Sequence, residues 1–282
     1  MIVAYQGEPG AYSEQGAHAL FPADEHRPFA SIRKVFEAVE VGRAEVGLVP
    51  MDNSQAGSIN ETYDLFLKHG LHLVGETVVR VDHCLLALPG TTVDRVTEVA
   101  SHPQAVAQCE EFLSALEVAV RADYNTAGAA KRIADEHLEG VAAIASRRAA
   151  ELYGLEVLAE SIQTYPDNYT RFGALARSPE PLGEPTQSSL VFGVGHVAGS
   201  LYRCLGAFAT RHLNLTKLES RPRTGRPWEY VFYADVDAAA DGPAMVEALA
   251  ELSEHATFTR LLGTYARSER RPLANADSSP LR

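Results

Sequence analysis

Small hydroxyl and amide side chains recur in the first two thirds of the chain, where predicted strands give way to helices. They are Ser13, Asn53, Ser54, Ser101, Asn125, Thr126 and Ser146. One such residue alone is an ordinary helix N-cap. Several together indicate more, because the carboxyl ends of parallel strands converge on a ligand crevice and helix N-termini there favour anions. The pattern predicts a neutral, polar crevice that binds a small carboxylate.

The segment Asn168 to Ala176 carries a second signal, because it places Thr170, Arg171 and Phe172 at the entry of a strand. In a purely structural interpretation, Phe172 belongs to the core and Arg171 forms a surface ion pair. In a functional interpretation, Arg171 clamps a carboxylate beside the Thr170 hydroxyl. The residues alone leave both interpretations open.

Composition and charge narrow the classes of function. The 282-residue chain has a formal net charge of −12, which argues against a nucleic-acid or anionic-membrane partner. An anionic substrate would therefore be held by local donors. The three cysteines are far apart, which predicts buried, reduced thiols in a cytoplasmic protein. We expect no secretory signal and no membrane span, since no stretch approaches ~18 uninterrupted apolar residues.

Motifs for metal, phosphate and nucleophile sites are missing from the sequence: GxxxxGK[ST], HExxH, CxxC and GxSxG do not occur. We therefore expect neither a metal nor a cofactor. A near match to a dinucleotide fingerprint does occur, with Gly193, Gly195 and Gly199 after a strand and Glu219 twenty residues later. Only 63 residues follow Glu219, too few for the second half of such a fold, so a nicotinamide-dependent oxidoreductase is the weaker alternative.

The order of predicted elements indicates an α/β protein with a second, smaller domain. In the first 176 residues, short apolar strands alternate with capped helices, which predicts a mostly parallel sheet with helices on both faces. Ser31 is expected to cap one helix, Ser58 and Glu61 to form a capping box for the next, and residues 103–116 to form one helix. Residues 178–188 read as a linker. Residues 189–267 follow the ferredoxin-like β-α-β-β-α-β order. Residues 268–282 are expected to form a disordered tail.

The sequence resembles the prephenate dehydratase family along nearly its whole length. The resemblance rests on GEPGAYSEQGA (7–17), VPMDNSQAGSINETYDL (49–65), SHPQAVAQC (101–109), NTAGAA (125–130) and YGLEVLAESIQTYPDNYTRF (153–172). In addition, GSLYRCLGAF (199–208) and NLTKLESRP (214–222) resemble the ligand-side motifs of an ACT regulatory domain. The resemblance implies a catalytic domain over 1–177 with two periplasmic-binding-protein-like lobes, and an ACT domain over 189–267.

Residue roles follow from this resemblance. It implies catalytic positions at Thr170, Asn53, Ser101 and Gln108, with Thr170 the essential residue. It implies substrate binding by Thr126, Arg171, Ser13, Ser54 and Phe172. A phenylalanine effector site between paired ACT domains would be framed by Gly199, Leu201, Asn214, Leu215, Glu219 and Ser220. Two positions depart from the family pattern, Asp52 in place of a common Glu and Ser200 in place of a common Ala, and the second leaves effector affinity open.

The function implied is conversion of prephenate to phenylpyruvate in phenylalanine biosynthesis, without a cofactor and under allosteric control by phenylalanine. Pairing of ACT domains implies a homodimer or homotetramer. Arogenate dehydratase is the alternative within the same class, and the sequence does not decide between the two substrates. A non-catalytic small-molecule sensor is the other alternative, against which the combination of Thr170 with Asn53, Ser101 and Gln108 argues.

Overall fold

Two α/β lobes and a third, smaller α/β unit make up the computed structural model, which describes residues 1–223 and 229–268. The first lobe holds residues up to about 81 and one strand from later in the chain. Its elements are β1 (Ile2–Gln6), α1 (Tyr12–Leu20), β2 (Glu25–Phe29), α2 (Ile32–Glu40), β3 (Val46–Asn53), β4 (Gly57–Ser58), α3 (Asn60–Lys68), β5 (His72–Arg80) and β11 (Tyr169–Ala176).

The second lobe lies between two crossings of the chain, at 81–83 and 160–168. Its elements are β6 (Cys84–Ala87), β7 (Glu98–Ser101), α4 (Pro103–Gln108), α5 (Glu110–Leu116), β8 (Ala119–Ala122), α6 (Thr126–Glu136), β9 (Val141–Ala145), α7 (Arg147–Tyr153) and β10 (Glu156–Ala159). The predicted single helix over 103–116 is wrong, because the chain leaves the helical conformation at Cys109 between α4 and α5.

Both lobe sheets are mixed, so the predicted mostly parallel sheet is only partly right. In the first lobe the order is β2-β1-β3-β11-β5, and β11 runs antiparallel to both of its neighbours. In the second lobe the order is β10-β6-β9-β7-β8, with β6 and β10 antiparallel. The strands that break the parallel order, β11 in the first lobe and β6 in the second, directly follow the two segments where the chain crosses between the lobes. The three parallel strands of each sheet keep their carboxyl ends toward the other lobe.

Local sequence accounts for several helices. In α2, Ile32, Val35, Phe36 and Val39 are all buried, and the Ser31 hydroxyl accepts a hydrogen bond from the Lys34 N–H, as predicted. The capping box at Ser58 is wrong. Helix α3 begins after Ile59 without a side-chain cap, and Ser58 lies in β4 with its hydroxyl 2.9 Å from Asp52 Oδ1.

The third unit has the predicted β-α-β-β-α-β order. Its elements are β12 (Gln187–Val194), α8 (Ser200–Ala209), β13 (Leu215–Pro222), β14 (Tyr230–Val236), α9 (Pro243–His255) and β15 (Ala256–Tyr265). The sheet order is β13-β14-β12-β15, and every pairing is antiparallel. A dinucleotide-binding domain requires parallel strands after the glycine-rich turn, so the oxidoreductase alternative is wrong. Strand β12 begins inside the predicted linker, and the predicted disordered tail lies outside the described residues except for Ser268.

One face of this small sheet is covered by its own helices, and the other packs on the first lobe. Alternation along β12 shows both contacts, because Leu190 and Phe192 join the core under α8 and α9 while Val191 joins the core of the first lobe. Tyr233 packs against Tyr63 with ring centroids 4.8 Å apart. Gly263 approaches the Leu73 backbone so closely that a Cβ would clash. The first lobe and the small unit therefore share one hydrophobic core.

Candidate active site

A cavity of about 390 Å³ lies between the two lobes, at the carboxyl ends of their parallel strands. Of the residues that the sequence nominates for substrate or catalysis, six line it: Ser13, Asn53, Gln108, Thr126, Thr170 and Phe172. Gln6, Tyr12, His83 and Glu61 also line it. The cavity thus receives side chains from both lobes and from the segment that joins them.

Helix N-termini surround the cavity. Tyr12 and Ser13 begin α1, Ile32 begins α2 and Thr126 begins α6. The Asn125 side chain caps α6 by accepting a hydrogen bond from the Gly128 N–H at 2.5 Å. Among the described residues, no lysine or arginine lines the cavity. An anion there would be held by helix N–H groups and neutral donors. The predicted neutral, polar crevice is therefore only partly right, because the acidic residue Glu61 also lines the cavity.

Three amide side chains at the edge of the cavity form a closed ring of hydrogen bonds. Asn53 Nδ2 donates to Asn168 Oδ1 at 2.8 Å, and Asn168 Nδ2 donates to Gln108 Oε1 at 3.0 Å. Gln108 Nε2 closes the ring with a longer contact of 3.5 Å to Asn53 Oδ1. The ring joins the end of β3, the end of α4 and the segment before β11, so both lobes and one crossing meet in it.

The direction of the ring is fixed by the backbone. Asn53 Oδ1 accepts hydrogen bonds from the N–H groups of Gln55 at 3.0 Å and Ala56 at 2.9 Å. A reversed Asn53 amide would turn its NH₂ group toward these two donors, which is unfavourable. Asn53 Nδ2 therefore faces Thr170, whose hydroxyl oxygen lies 3.1 Å away.

Thr170 accepts this hydrogen bond and keeps its own hydrogen. It lies on β11 directly opposite Asn53 on β3, and it lines the cavity with 9% of its surface exposed. Its hydroxyl donates to no partner among residues 1–223 and 229–268. The hydroxyl is thus arranged as a hydrogen-bond donor toward a molecule in the cavity.

Arg171 does not line the cavity, and the prediction that it clamps a substrate carboxylate is wrong. Consecutive strand residues point to opposite faces, so Thr170 and Phe172 face the cavity while Arg171 faces the small third unit. Its guanidinium is 6% exposed and pairs with Asp52 at 2.7 Å, Glu76 at 3.1 Å and Asp235 at 2.9 Å. The structural interpretation, in which Arg171 forms an ion pair at the surface, is right about the ion pair but wrong about the surface, because Arg171 is buried.

Asp52 has two cationic partners in this cluster. Arg171 lies beside it, and Lys217 of β13 bonds to its other carboxylate oxygen. Burial alone would raise the pKa of the Asp52 carboxyl, but the charges of Arg171 and Lys217 outweigh burial and hold that pKa well below its usual range. Asp52 therefore stays ionised at the boundary between the first lobe and the small unit.

Two other predicted site residues lie outside the cavity. Ser101 ends β7 as expected, but it is fully buried and its hydroxyl donates to the Ile144 carbonyl at 2.7 Å within the second lobe. Ser54 donates to the Asp167 carbonyl at 3.0 Å and accepts from the Tyr169 N–H at 2.9 Å, so it fastens the returning chain to β3. Both prediction errors have the same cause, because the sequence gives the end of a strand but not the direction of the side chain.

The prephenate dehydratase family model matches residues 3–180, which is more than half of the chain. The chain belongs to the prephenate dehydratase family. It is 46% identical to arogenate dehydratase 1 of Petunia hybrida over 93% of this chain and 66% of that protein, so it spans slightly less than two thirds of that relative's length.

Solved structures agree with this family. A prephenate dehydratase from Arthrobacter aurescens, in complex with L-Phe, superposes with a TM-score of 0.86 at 29% identity and covers 95% of this chain and 90% of that chain. A protein described as a novel type of quorum quenching acylase, GqqA, has the same TM-score at 35% identity, over 95% and 99% of the two chains. The fold of this chain is thus shared by proteins with different described activities.

The residues that were predicted to frame a phenylalanine effector site lie on the small unit, away from the cavity. Gly199 precedes α8 with φ +81°, a backbone conformation that favours glycine, and Leu201 is half-buried in the following turn. Asn214 Nδ2 donates to Asp237 Oδ2 at 3.1 Å. Leu215, Glu219 and Ser220 lie on β13, the edge strand of the sheet. Within one chain these residues do not enclose a single cavity.

Sequence reasoning missed several residues that build this dehydratase-family site. Asn168 completes the amide ring and is fully buried, and it directly precedes the Tyr169-Thr170-Arg171-Phe172 run that drew attention. Tyr12 lies within the quoted segment GEPGAYSEQGA (7–17) but was not nominated for the site, and His83 lies outside every quoted motif. The structure describes no group of His, Cys, Asp and Glu able to hold a metal in residues 1–223 and 229–268. Within the same ranges, no helix is both long and apolar enough to cross a membrane.

The cysteines are buried, as predicted for Cys84, Cys109 and Cys204. Burial raises the pKa of the Cys109 thiol to about 12, so this thiol stays protonated at neutral pH. A protonated, buried thiol is a poor nucleophile, which agrees with a structural role.

Proposed function

We propose that this chain converts prephenate to phenylpyruvate by coupled loss of carbon dioxide and water. The observation that carries the proposal is the Thr170 hydroxyl, which accepts from Asn53 at 3.1 Å and keeps its hydrogen for a molecule in the cavity. A second support is the ring of helix N-termini, which suits a substrate with two carboxylates.

The reaction needs a donor at one atom above all. The bond from the ring to the departing carboxylate breaks, its electron pair enters the ring, and the ring expels the hydroxyl group as it becomes aromatic. The hydroxyl leaves as hydroxide, which takes one proton from solvent to become water. A threonine hydroxyl is too weak an acid to supply that proton alone. Thr170 therefore acts as a hydrogen-bond donor to the leaving oxygen, and stabilises charge that develops there.

Binding of the two carboxylates falls to neutral groups in this mechanism. The first turns of α1 and α6 present their helix N–H groups and the Thr126 side chain to the cavity, while the Ser13 hydroxyl donates to the Gln6 carbonyl. Removal of water from the carboxylate that is lost favours decarboxylation, and Phe172 supplies an apolar wall of the cavity. The amide ring orients the substrate relative to Thr170.

Arogenate is the second candidate substrate, and Glu61 is the observation that favours it. Arogenate carries an ammonium where prephenate carries a ketone, and Glu61, an exposed acidic residue, is among the residues that line the cavity. The Petunia relative is named an arogenate dehydratase. An acylase activity like that described for GqqA is less well supported. Among the described residues, neither Thr170 nor Ser13 contacts a histidine that could act as its base.

The small unit is proposed to be an ACT regulatory domain that binds phenylalanine. Its β-α-β-β-α-β order and the Arthrobacter relative's complex with L-Phe support the proposal. Strand β13 is an edge strand, and pairing of two such edges across a two-fold axis would form a homodimer, with a homotetramer as the larger alternative.

Product analysis tests the proposed activity. Purified protein, treated with a chelator, is incubated separately with prephenate and with arogenate. Phenylpyruvate from the first or phenylalanine from the second supports dehydratase activity, and the ratio of kcat/KM values identifies the preferred substrate. A Glu61→Gln variant should lose kcat/KM selectively for arogenate. Absence of product from both substrates would contradict the proposal.

A further inference from the structure

His83 is a buried histidine with no part in the reaction as described above. It lies at the first crossing between the lobes, is 2% exposed and lines the cavity. Its Nε2 is 3.0 Å from Gln108 Oε1, and its Nδ1 is 3.2 Å from the Tyr12 hydroxyl. Its backbone N–H donates to Gln163 Oε1 at 2.9 Å, so the residue is held on three sides.

The amide ring determines which nitrogen of His83 carries a hydrogen. The N–H groups of Gln55 and Ala56 fix Asn53, and Asn53 Nδ2 then makes Asn168 Oδ1 an acceptor. The NH₂ group of Asn168 consequently donates to Gln108 Oε1, which is therefore an acceptor too. A bare Nε2 facing this oxygen would place two acceptors 3.0 Å apart. His83 thus carries its hydrogen on Nε2.

The charge of His83 does not alter this contact. Burial lowers the pKa of His83, so the ring is neutral at neutral pH. The titratable groups beside it are Asp82, whose carboxylate accepts from Gln163 Nε2 at 3.0 Å, and Tyr12, whose hydroxyl lies 2.7 Å from the Asp82 carbonyl and 3.2 Å from His83 Nδ1. In the neutral ring the Tyr12 hydroxyl donates to the bare Nδ1, and in the protonated ring Nδ1–H donates to Tyr12 while the Tyr12 hydroxyl donates to the Asp82 carbonyl. Protonation would add a hydrogen at Nδ1, facing Tyr12. The hydrogen on Nε2 is present in both forms.

We propose that His83 is a positioning residue: its Nε2–H group, together with the NH₂ group of Asn168, holds the Gln108 amide in one orientation and so directs the Gln108 NH₂ group toward Asn53 Oδ1 at the cavity. The kinetic part of this inference rests on the proposed dehydratase function. Without the donor at Nε2, Gln108 Oε1 keeps only the hydrogen bond from Asn168, so the Gln108 amide, which lines the cavity, is no longer held in one place relative to the substrate.

Three substitutions separate this role from others. Glutamine at position 83 can place an amide N–H near the former Nε2 and so replace the donor to Gln108. Asparagine places its amide near the former Nδ1, and leucine offers no donor. We expect His83→Asn and His83→Leu to lower kcat by about 10- to 100-fold with little change in KM, because a small misplacement at the reacting centre has costs of this order. His83→Gln should recover most of the wild-type kcat.

Controls make the outcome decisive. His69→Gln, at a histidine that pairs with Glu40 far from the cavity, should leave kcat unchanged. Thermal unfolding verifies that each variant is folded. Loss of kcat in folded His83→Gln equal to that in His83→Leu would overturn the proposal and indicate that the imidazole itself exchanges a proton with the substrate. Wild-type kcat in all three variants would overturn it as well.

A spectroscopic measurement tests the tautomer independently of activity. Nitrogen-15 NMR of histidine-labelled protein, assigned by loss of the signal in His83→Gln, should show a neutral ring with hydrogen on Nε2 at neutral pH. Hydrogen on Nδ1 alone would overturn the proposal. If the wild-type protein converted neither prephenate nor arogenate, the proposed function would fail, while this measurement would still decide the arrangement at His83.

Discussion

Thr170 and Asn53 are cross-strand partners on β11 and β3, and the amide nitrogen of Asn53 lies 3.1 Å from the Thr170 hydroxyl oxygen. The next pair in the same register is Arg171 with Asp52, and it faces the opposite side of the sheet. The first pair lies at the cavity and the second lies at the boundary with the small unit. One step along two paired strands therefore separates the proposed chemistry from the proposed regulation.

The donor supplied by Asn53 should be essential for the role of Thr170. In Asn53→Asp, an oxygen faces Thr170, and the threonine hydrogen turns toward this carboxylate and away from the cavity. We expect kcat to fall by about 10²–10³, as for removal of one preorganised donor. Steady-state kinetics on the preferred substrate measures this. The control Asn60→Asp makes the same change at an exposed position and should retain the wild-type kcat. A folded Asn53→Asp variant with the wild-type kcat would contradict the role of the Asn53 donor.

Arg171 should contribute to stability and not to substrate affinity. Arg171→Met removes the cation from among Asp52, Glu76 and Asp235, and leaves the buried carboxylates of Glu76 and Asp235 without their guanidinium partner. We expect the free energy of unfolding to fall by about 3–5 kcal/mol, measured by urea denaturation. The matched control is Arg80→Met, at an exposed position on β5. An unchanged free energy of unfolding with a strongly raised KM would instead support the carboxylate clamp.

Ionisation of Asp52 should contribute fully to stability at neutral pH and progressively less as the pH falls below about 4. Its pKa in the folded protein is depressed, while the unfolded chain has an ordinary value of about 3.9. As the pH falls, the unfolded state binds the proton first, so the stabilisation is fully present above about pH 4 and is lost as pH falls through the folded-state pKa.

Urea denaturation of wild type and Asp52→Asn from pH 7 to pH 3 checks this. The difference in the free energy of unfolding between the two proteins should be largest at pH 7 and should narrow below pH 4. A difference that stayed constant over this range would show that the carboxylate does not titrate as described.

Lys217 should transmit the proposed effect of phenylalanine. It reaches from β13 of the small unit to Asp52, and it also contacts Ser58 at 2.6 Å and Tyr63 at 2.7 Å. If phenylalanine changes substrate affinity by about 5–150-fold, as allosteric couplings commonly do, Lys217→Met should reduce that factor toward one. Calorimetry measures the affinity of each variant for phenylalanine, and kinetics at several phenylalanine concentrations measure the change in apparent substrate affinity.

The control for Lys217 crosses the same boundary elsewhere. Arg260 of β15 donates to the His69 carbonyl at 2.8 Å, away from Asp52 and from the nominated effector residues, so Arg260→Met should keep the phenylalanine response. Equal loss of response in both variants would indicate a general loosening of the boundary. Point variants are preferable to truncation after Arg177, because the small unit shares its core with the first lobe and its removal would expose Leu73 and Tyr63.

Much of the fold followed from local sequence. Hydrophobic periodicity located α2 and the buried strands, and hydroxyl or amide caps marked the starts of α2, α6 and α7. Strand direction was less accessible. The antiparallel return of β11 depends on where the chain crosses between lobes, and no local pattern encodes that. The polar strand β2 (Glu25–Phe29) was missed because an edge strand with exposed side chains lacks an apolar signal.

The site residues could be predicted from the sequence where the two-residue alternation of a strand determines the direction of the side chain. Thr170 and Phe172 share one face of β11, and the same alternation excludes Arg171, so the period of a strand could have corrected that prediction in advance. Ser101 could not be placed, because its hydroxyl reaches a carbonyl on a neighbouring strand that is distant in sequence. The amide ring was likewise hidden, since its members come from positions 53, 108 and 168 and meet only when both lobes are assembled.

The most direct test of this account is the kcat of two Thr170 variants on the preferred substrate. Thr170→Val keeps the shape of the side chain and removes the hydroxyl, so kcat should fall by about 10²–10³. Thr170→Ser keeps the hydroxyl and loses only a methyl group, so it should retain most of the wild-type kcat. Equal kcat values for folded Thr170→Val and Thr170→Ser would contradict the claim that the Thr170 hydroxyl donates to the leaving oxygen.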